Sequence, residues 1–331
     1  MEGHRGSFLI SAAIFLLVFS VTTARGQTGI DLLIKPFLDG NSIELDNASA
    51  IAYPAGHESA EPDHFQFYEF DSDGRARFAI PGVADGKKIL YLGYDTTNLD
   101  LAAHGPLLPD HLTDTSIAAG MPIARQGDNI WAISGGVGYA GNEPFTQSSA
   151  VYGKGDLIFV HPLGDERNLV LGLDYDGNRS VLPDVPFPGI AYQAKSGDSL
   201  EYVLGFPFCS AVWLPFPRHD ITVTVDVTIP DEAEAQIGFQ PVKQFNFFGG
   251  YYQSIDSFHI DDQPEDRRLF FQQQRFEAGV KWLPRTGVEV SLAAGYAFDQ
   301  HFDSGFDDRN LNGITRVSDE PYLKLNATLR F

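Results

Sequence analysis

The sequence predicts an all-β protein, a closed antiparallel transmembrane β-barrel of about 12 strands (roughly 10–14) with short turns at one rim and long loops at the other. Three observations carry this. Several segments alternate apolar and polar residues over about 9–13 positions, the length a tilted strand needs to cross a bilayer, whereas soluble strands run near 5–6. The connections between segments alternate short and long. Aromatics, which are 13% of the 331 residues, gather toward segment ends, at Trp131, Tyr139, Trp282, Tyr296, Phe298, Tyr322 and Phe331, as interfacial girdles do.

Composition narrows the function classes. The chain carries 44 acidic and 23 basic side chains, a formal charge of −21, so no basic stripe is present to displace counterions from nucleic-acid phosphates. A single cysteine, Cys209, excludes a disulfide framework and a cysteine-based metal centre.

Residues 1–26 read as a secretory signal peptide. His4 and Arg5 precede the apolar run Phe8–Val21, and small and polar residues follow at Thr22–Gly26. The run has 14 residues, short of the ~18–20 that span hydrocarbon as a helix. The longest later apolar stretch, Leu204–Pro217, is broken by Pro207 and Pro215, which a membrane helix tolerates poorly. Residues 27–62 show no alternation and contain Pro36, Gly40, Pro54, Gly56 and Pro62; they read as a periplasmic lead, a plug in the lumen or a free tail. The barrel is assigned to residues 63–331.

Within the barrel, short periplasmic turns are expected at Gln126–Asp128, Leu163–Arg167, Lys195–Asp198, Pro230–Ala235 and Pro284–Gly287. Long outer loops are expected at Asp95–His111, Gly141–Gly155, Gly177–Pro186, Ser254–Arg267 and Gln300–Glu320, with a shorter outer connection at Phe216–His219. The clearest strands lie in the C-terminal third. In Asp220–Ile229, Ile221, Val223, Val225, Val227 and Ile229 share one face; Thr222, Thr224, Asp226 and Thr228 share the other. Arg275, Glu277 and Lys281 oppose Phe276, Ala278, Val280 and Trp282. Glu289 opposes Val288 and Val290, and Lys324 and Arg330 oppose Leu323 and Leu329. Successive strand side chains point to opposite faces. The polar set Thr222, Thr224, Asp226, Thr228, Arg275, Glu277, Lys281, Glu289, Lys324 and Arg330 therefore lines the lumen, either as a water-filled constriction or as a paired polar core.

The strongest local motif is Asp308-Arg-Asn310-Leu-Asn312-Gly313 with Asp319 eleven residues after Asp308. Alternate oxygens of Asp308, Asn310 and Asn312, the Ile314 carbonyl and the Asp319 carboxylate fit a calcium loop between two strands, though the last position usually holds Glu. The alternative is a solvated outer loop, since Asn-Gly and Asp-rich stretches are ordinary turn chemistry. Apart from possible calcium, no cofactor is implied. Asp256, His259, Asp261 and Asp262 could hold an acid–base pair, but with this many acids such proximity is ordinary, and no catalytic residue is assigned.

The last strand, ending Leu325, Ala327, Leu329 and Phe331, together with the signal peptide, resembles bacterial outer-membrane β-barrel proteins, specifically the porin-like barrels of unknown function. The resemblance implies a terminal aromatic preceded by apolar residues at every second position, read by the barrel-assembly machinery. Asn326 stands where the pattern prefers Gly. It further implies an outer-membrane location and contact with outer-membrane lipid and lipopolysaccharide. The expected function is a passive or weakly cation-preferring channel for small solutes. A surface barrel with calcium-bridged acidic loops, and a transporter for a hydrophobic compound plugged by residues 27–62, are the alternatives.

Overall fold

The computed structural model describes residues 28–29, 32–33, 43–53, 67–80, 88–101, 108–261, 263–264 and 267–331; the signal-peptide region lies outside them. Seventeen strands form one sheet. They are β1 (Ile43–Tyr53), β2 (Phe67–Ile80), β3 (Lys88–Leu101), β4 (His111–Gln126), β5 (Asn129–Gly141), β6 (Val151–Gly164), β7 (Arg167–Asp176), β8 (Phe187–Ser196), β9 (Leu200–Phe206), β10 (Phe208–Trp213), β11 (Ile221–Thr228), β12 (Glu232–Val242), β13 (Phe245–His259), β14 (Arg268–Arg285), β15 (Val288–Gly305), β16 (Asn312–Arg316) and β17 (Glu320–Arg330). Neighbours in sequence pair antiparallel. β16 pairs only with the outer end of β15, while β17 pairs with the rest of β15 and with β1. That last pairing, Leu329 opposite Leu45 through Leu323 opposite Ala52, closes a ring of 16 strands. Closure leaves no edge whose N–H and C=O groups would face lipid unpaired.

The ring is larger than the dozen strands the alternation predicts, and the reason is local. β1 lies inside the stretch 27–62, so the barrel begins at Ile43 rather than after residue 62. Residues 67–101 hold two strands, β2 and β3, the second running past Asp95 into the expected loop. Residues 200–213 reverse at Pro207, where β9 and β10 pair Ser210 with Val203 and Trp213 with Leu200. A second missed reversal sits at Lys243-Gln244, between β12 and β13. These two reversals invert the sides assigned between them. The connection around Phe216–His219 is on the periplasmic rim, and the Pro230 turn is on the outer one. The remaining short turns and long loops fall on the rims predicted.

The outer face is apolar. Leu204, Phe276, Leu292, Ile237, Leu323 and Leu325 each keep more than half their surface exposed, which in a ring of this kind is the lipid-facing band. Strand length is uneven around the circumference: β14 and β15 have 18 residues each, whereas β9, β10 and β11 have 7, 6 and 8. Gly287 takes φ +80° in the β14–β15 turn, and a Cβ there would stand 2.2 Å from the Arg330 carbonyl oxygen. Only glycine meets both demands.

Candidate functional site: the lumen and its outer mouth

One half of the inner wall, from β11 through β17 to β2, is charged. Cross-strand partners share a face, so Thr224 opposite Gln236, and Asp226 opposite Glu234, place the β11 polar set inward. Glu234 and Gln236 border a lumen cavity of about 90 Å³ shared with Arg275, Glu277, Lys281 and Lys324. Glu289, behind that lining, is 3.5 Å from Lys281 Nζ; Lys324 Nζ is 3.7 Å from Glu277, which also accepts from Tyr322 Oη at 2.9 Å. Arg275 donates to both Glu69 oxygens at 3.1 and 3.0 Å. Gln273 donates to Glu69 at 3.0 Å and accepts from Tyr53 Oη at 3.1 Å. Lys281 and Lys324 lie over the Phe248 and Tyr252 rings, 5.1 and 5.2 Å from the centroids. Thr222 and Thr228 stand half-buried on β11, outside the cavity lining, and Arg330 lies at the periplasmic end, its N–H on the Gly287 carbonyl at 2.8 Å.

The outer mouth is narrowed from across. β5 and β13 sit opposite each other in the ring, yet their outer ends meet, with His259 paired to Gly141. The loop after β7 reaches into the same place. Asn178 donates to Asp114 of β4 and to the Ser257 carbonyl of β13, each at 2.9 Å. Arg268, buried at the start of β14, donates to the carbonyls of Arg179 (3.0 Å) and Phe306 (3.0 and 3.1 Å), and to Asn178 Oδ1 (3.3 Å) and Ser257 Oγ (3.1 Å). Beside this knot an apolar cluster including Ile51, Leu99, Leu112, Phe258, Phe271 and Phe302 fills part of the outer lumen. Asp256 and His259 are three apart on β13 and so fall on opposite faces. That acid–base pair is not assembled.

The other half of the inner wall, β4 to β10, is apolar at one height. Leu33, fully buried, packs there against Ala132, Ile158, Val170 and Ala191, with Val160, Val203 and Phe208 at the margin. Leu32 packs against Ile89, Tyr91 and Ala118. Thr28 Oγ1 is 2.8 Å from Ser116 Oγ and accepts from Lys154 Nζ at 3.3 Å.

The candidate calcium positions are divided among different tasks. Asp308–Asn310 forms a short 3-10 turn capped by Asp307, and Asp308 Oδ1 accepts from Gln272 at 3.4 Å. Asn312 and Ile314 belong to β16, with Ile314 against the apolar cluster. Asp319 accepts from the Asp299 N–H at 3.1 Å. Among the described residues no three His, Cys, Asp or Glu side chains gather as a metal site would require.

Sequence reasoning missed Glu69, Tyr53, Glu234 and Arg268. Glu69 and Glu234 occupy inward positions by the same parity that placed Arg275. Arg268 begins its strand at a loop boundary, where no pattern marks it.

The wall, its closure and its outward apolar band define an outer-membrane β-barrel. No protein-family model matches the chain, and no curated protein matches it. Among solved structures it is similar to an outer membrane channel from Pseudomonas putida F1 (9% identity, TM-score 0.34, covering 88% of this chain and 96% of that one). It is also similar to a mutant of the monoaromatic hydrocarbon channel TodX (9%, TM-score 0.40, 95% and 99%), and to OccAB4 of Acinetobacter baumannii (10%, TM-score 0.34, 87% and 97%).

Proposed function

We propose that the protein is a passive outer-membrane channel for small solutes with a weak preference for cations. The observation that supports it is the mixed charge around the lumen cavity. Asp71, Glu232, Glu234 and Glu277 face Arg275, Lys281 and Lys324 across that space, and every one of these bases also lies beside a carboxylate or an aromatic face. Inward charges of both signs hold water and bias ion passage toward the sign in excess. The narrowed mouth predicts small conductance.

In this reading residues 1–26 are removed on export, Leu325, Ala327, Leu329 and Phe331 are read by the assembly machinery, and lipid and lipopolysaccharide surround the wall. No reaction is assigned to the lumen. Purified protein in planar bilayers should give discrete conductance steps, with a reversal potential displaced toward the cation in a salt gradient. Glu234→Gln with Glu277→Gln should shrink that displacement. A folded protein that yields no steps would overturn the proposal.

A further inference from the structure

A lumen serving only water and ions is polar all round, and this one is not. The apolar ribbon runs unbroken through the register of the sheet: Ala132 lies opposite Ile158, Val160 opposite Val170, Val170 opposite Ala191, and Ala191 opposite Gly205. These residues turn their backs on the lipid face, where Ile133, Leu157, Leu171 and Ile190 are exposed. The sheet is thus apolar on both sides over this sector, which the lipid requirement alone does not explain. Small side chains along the ribbon leave depth for an occupant. Gly120 is the clearest case: a Cβ there would stand 2.6 Å from Leu33 Cδ2.

Among the described residues, Leu33 is the one that packs onto the ribbon. Leu33 belongs to no strand, and the described residues of its segment are tied to the wall by Leu32 and by the Thr28 contacts with Ser116 and Lys154. The chemistry of this occupant shows what the ribbon accepts: a compact, uncharged hydrocarbon group that asks for no hydrogen bond.

We infer that the ribbon on β4–β10 is a binding site for small apolar molecules, aliphatic or aromatic and of about the size of a leucine side chain or a benzene ring, for which Leu33 holds the place. This goes beyond the channel reading and does not depend on it. When two occupants compete for one surface, weakening the resident raises the apparent affinity of the visitor.

The test uses iodobenzene as the probe and the iodine anomalous signal in crystals of the whole barrel. In the Leu33→Ala protein, iodine should appear in the lumen within contact distance of Ile158 and Val170, at several-fold higher occupancy than in the unaltered protein. Val170→Thr, which keeps the shape and adds a hydroxyl, should lower that occupancy. Leu33 lies outside the sheet, so its variant keeps the barrel; heat-modifiable migration on a gel verifies folding of both variants. Iodine confined to the detergent belt on the outer wall would overturn the inference, as would lumen occupancy equal in the Leu33→Ala and unaltered proteins. Conductance is not read here, so failure of the channel reading would leave this result standing.

Discussion

Two side chains carry more than their neighbours. Arg268 donates five hydrogen bonds to neutral acceptors drawn from the loops after β7 and β15 and from β13. Buried acceptors that lose their donor keep the desolvation cost without the bond, about 1–3 kcal/mol for such a group. Arg268→Ala should therefore lower the melting temperature of the folded barrel and, by freeing the loop, enlarge the conductance step; bilayer recording and gel-shift melting read the two effects separately. Asp231, in the turn between β11 and β12, is the second. Burial pushes its carboxyl up to about 6, and the nearby Asp176 and Asp256 carboxylates add to the rise. An acid whose folded pKa is raised binds its proton more tightly in the barrel than in the unfolded chain. Its contribution therefore falls as pH climbs from the ordinary carboxylate range through about 6. Asp231→Asn should raise the melting temperature at pH 7.5 and make little difference at pH 4, where both forms are neutral. Equal gains at the two values would show that the turn does not feel this charge.

At the scale of the element, alternation decides what a strand tolerates. Leu292 and Leu325 point to lipid, and an Arg at the midplane of such a face costs about 2–4 kcal/mol. Leu292→Arg should lower the urea midpoint in vesicles far more than Ser291→Arg, one residue away on the inner face. The C-terminal strands announced themselves because one face is apolar and the other polar, as in Ile221–Thr228. The strands β5 to β9 were harder to read because Ile158, Val170 and Ala191 are apolar on the inner face as well, which erases the period. Leu204–Pro217 looked like one apolar run for the same reason, and only the pairing of Ser210 with Val203 exposes its reversal. The knot at Arg268 had no sequence signature, since its partners lie about 11 to 90 residues away along the chain.

For the molecule as a whole, the ring's unequal wall has a mechanical consequence. Crossing a bilayer takes about 9–11 strand residues, and β9, β10 and β11, with 7, 6 and 8, fall short, while β2 and β3 across the ring, with 14 each, exceed it. A cylinder of uneven height in a slab of even thickness must lean toward its low side, or draw the two leaflets together beside it. Acyl chains next to β10 would be compressed, and lipids with shorter tails would collect there. Neutron reflectivity or simple reconstitution in a series of bilayers of graded thickness should find the protein inserting best where the membrane is thinnest.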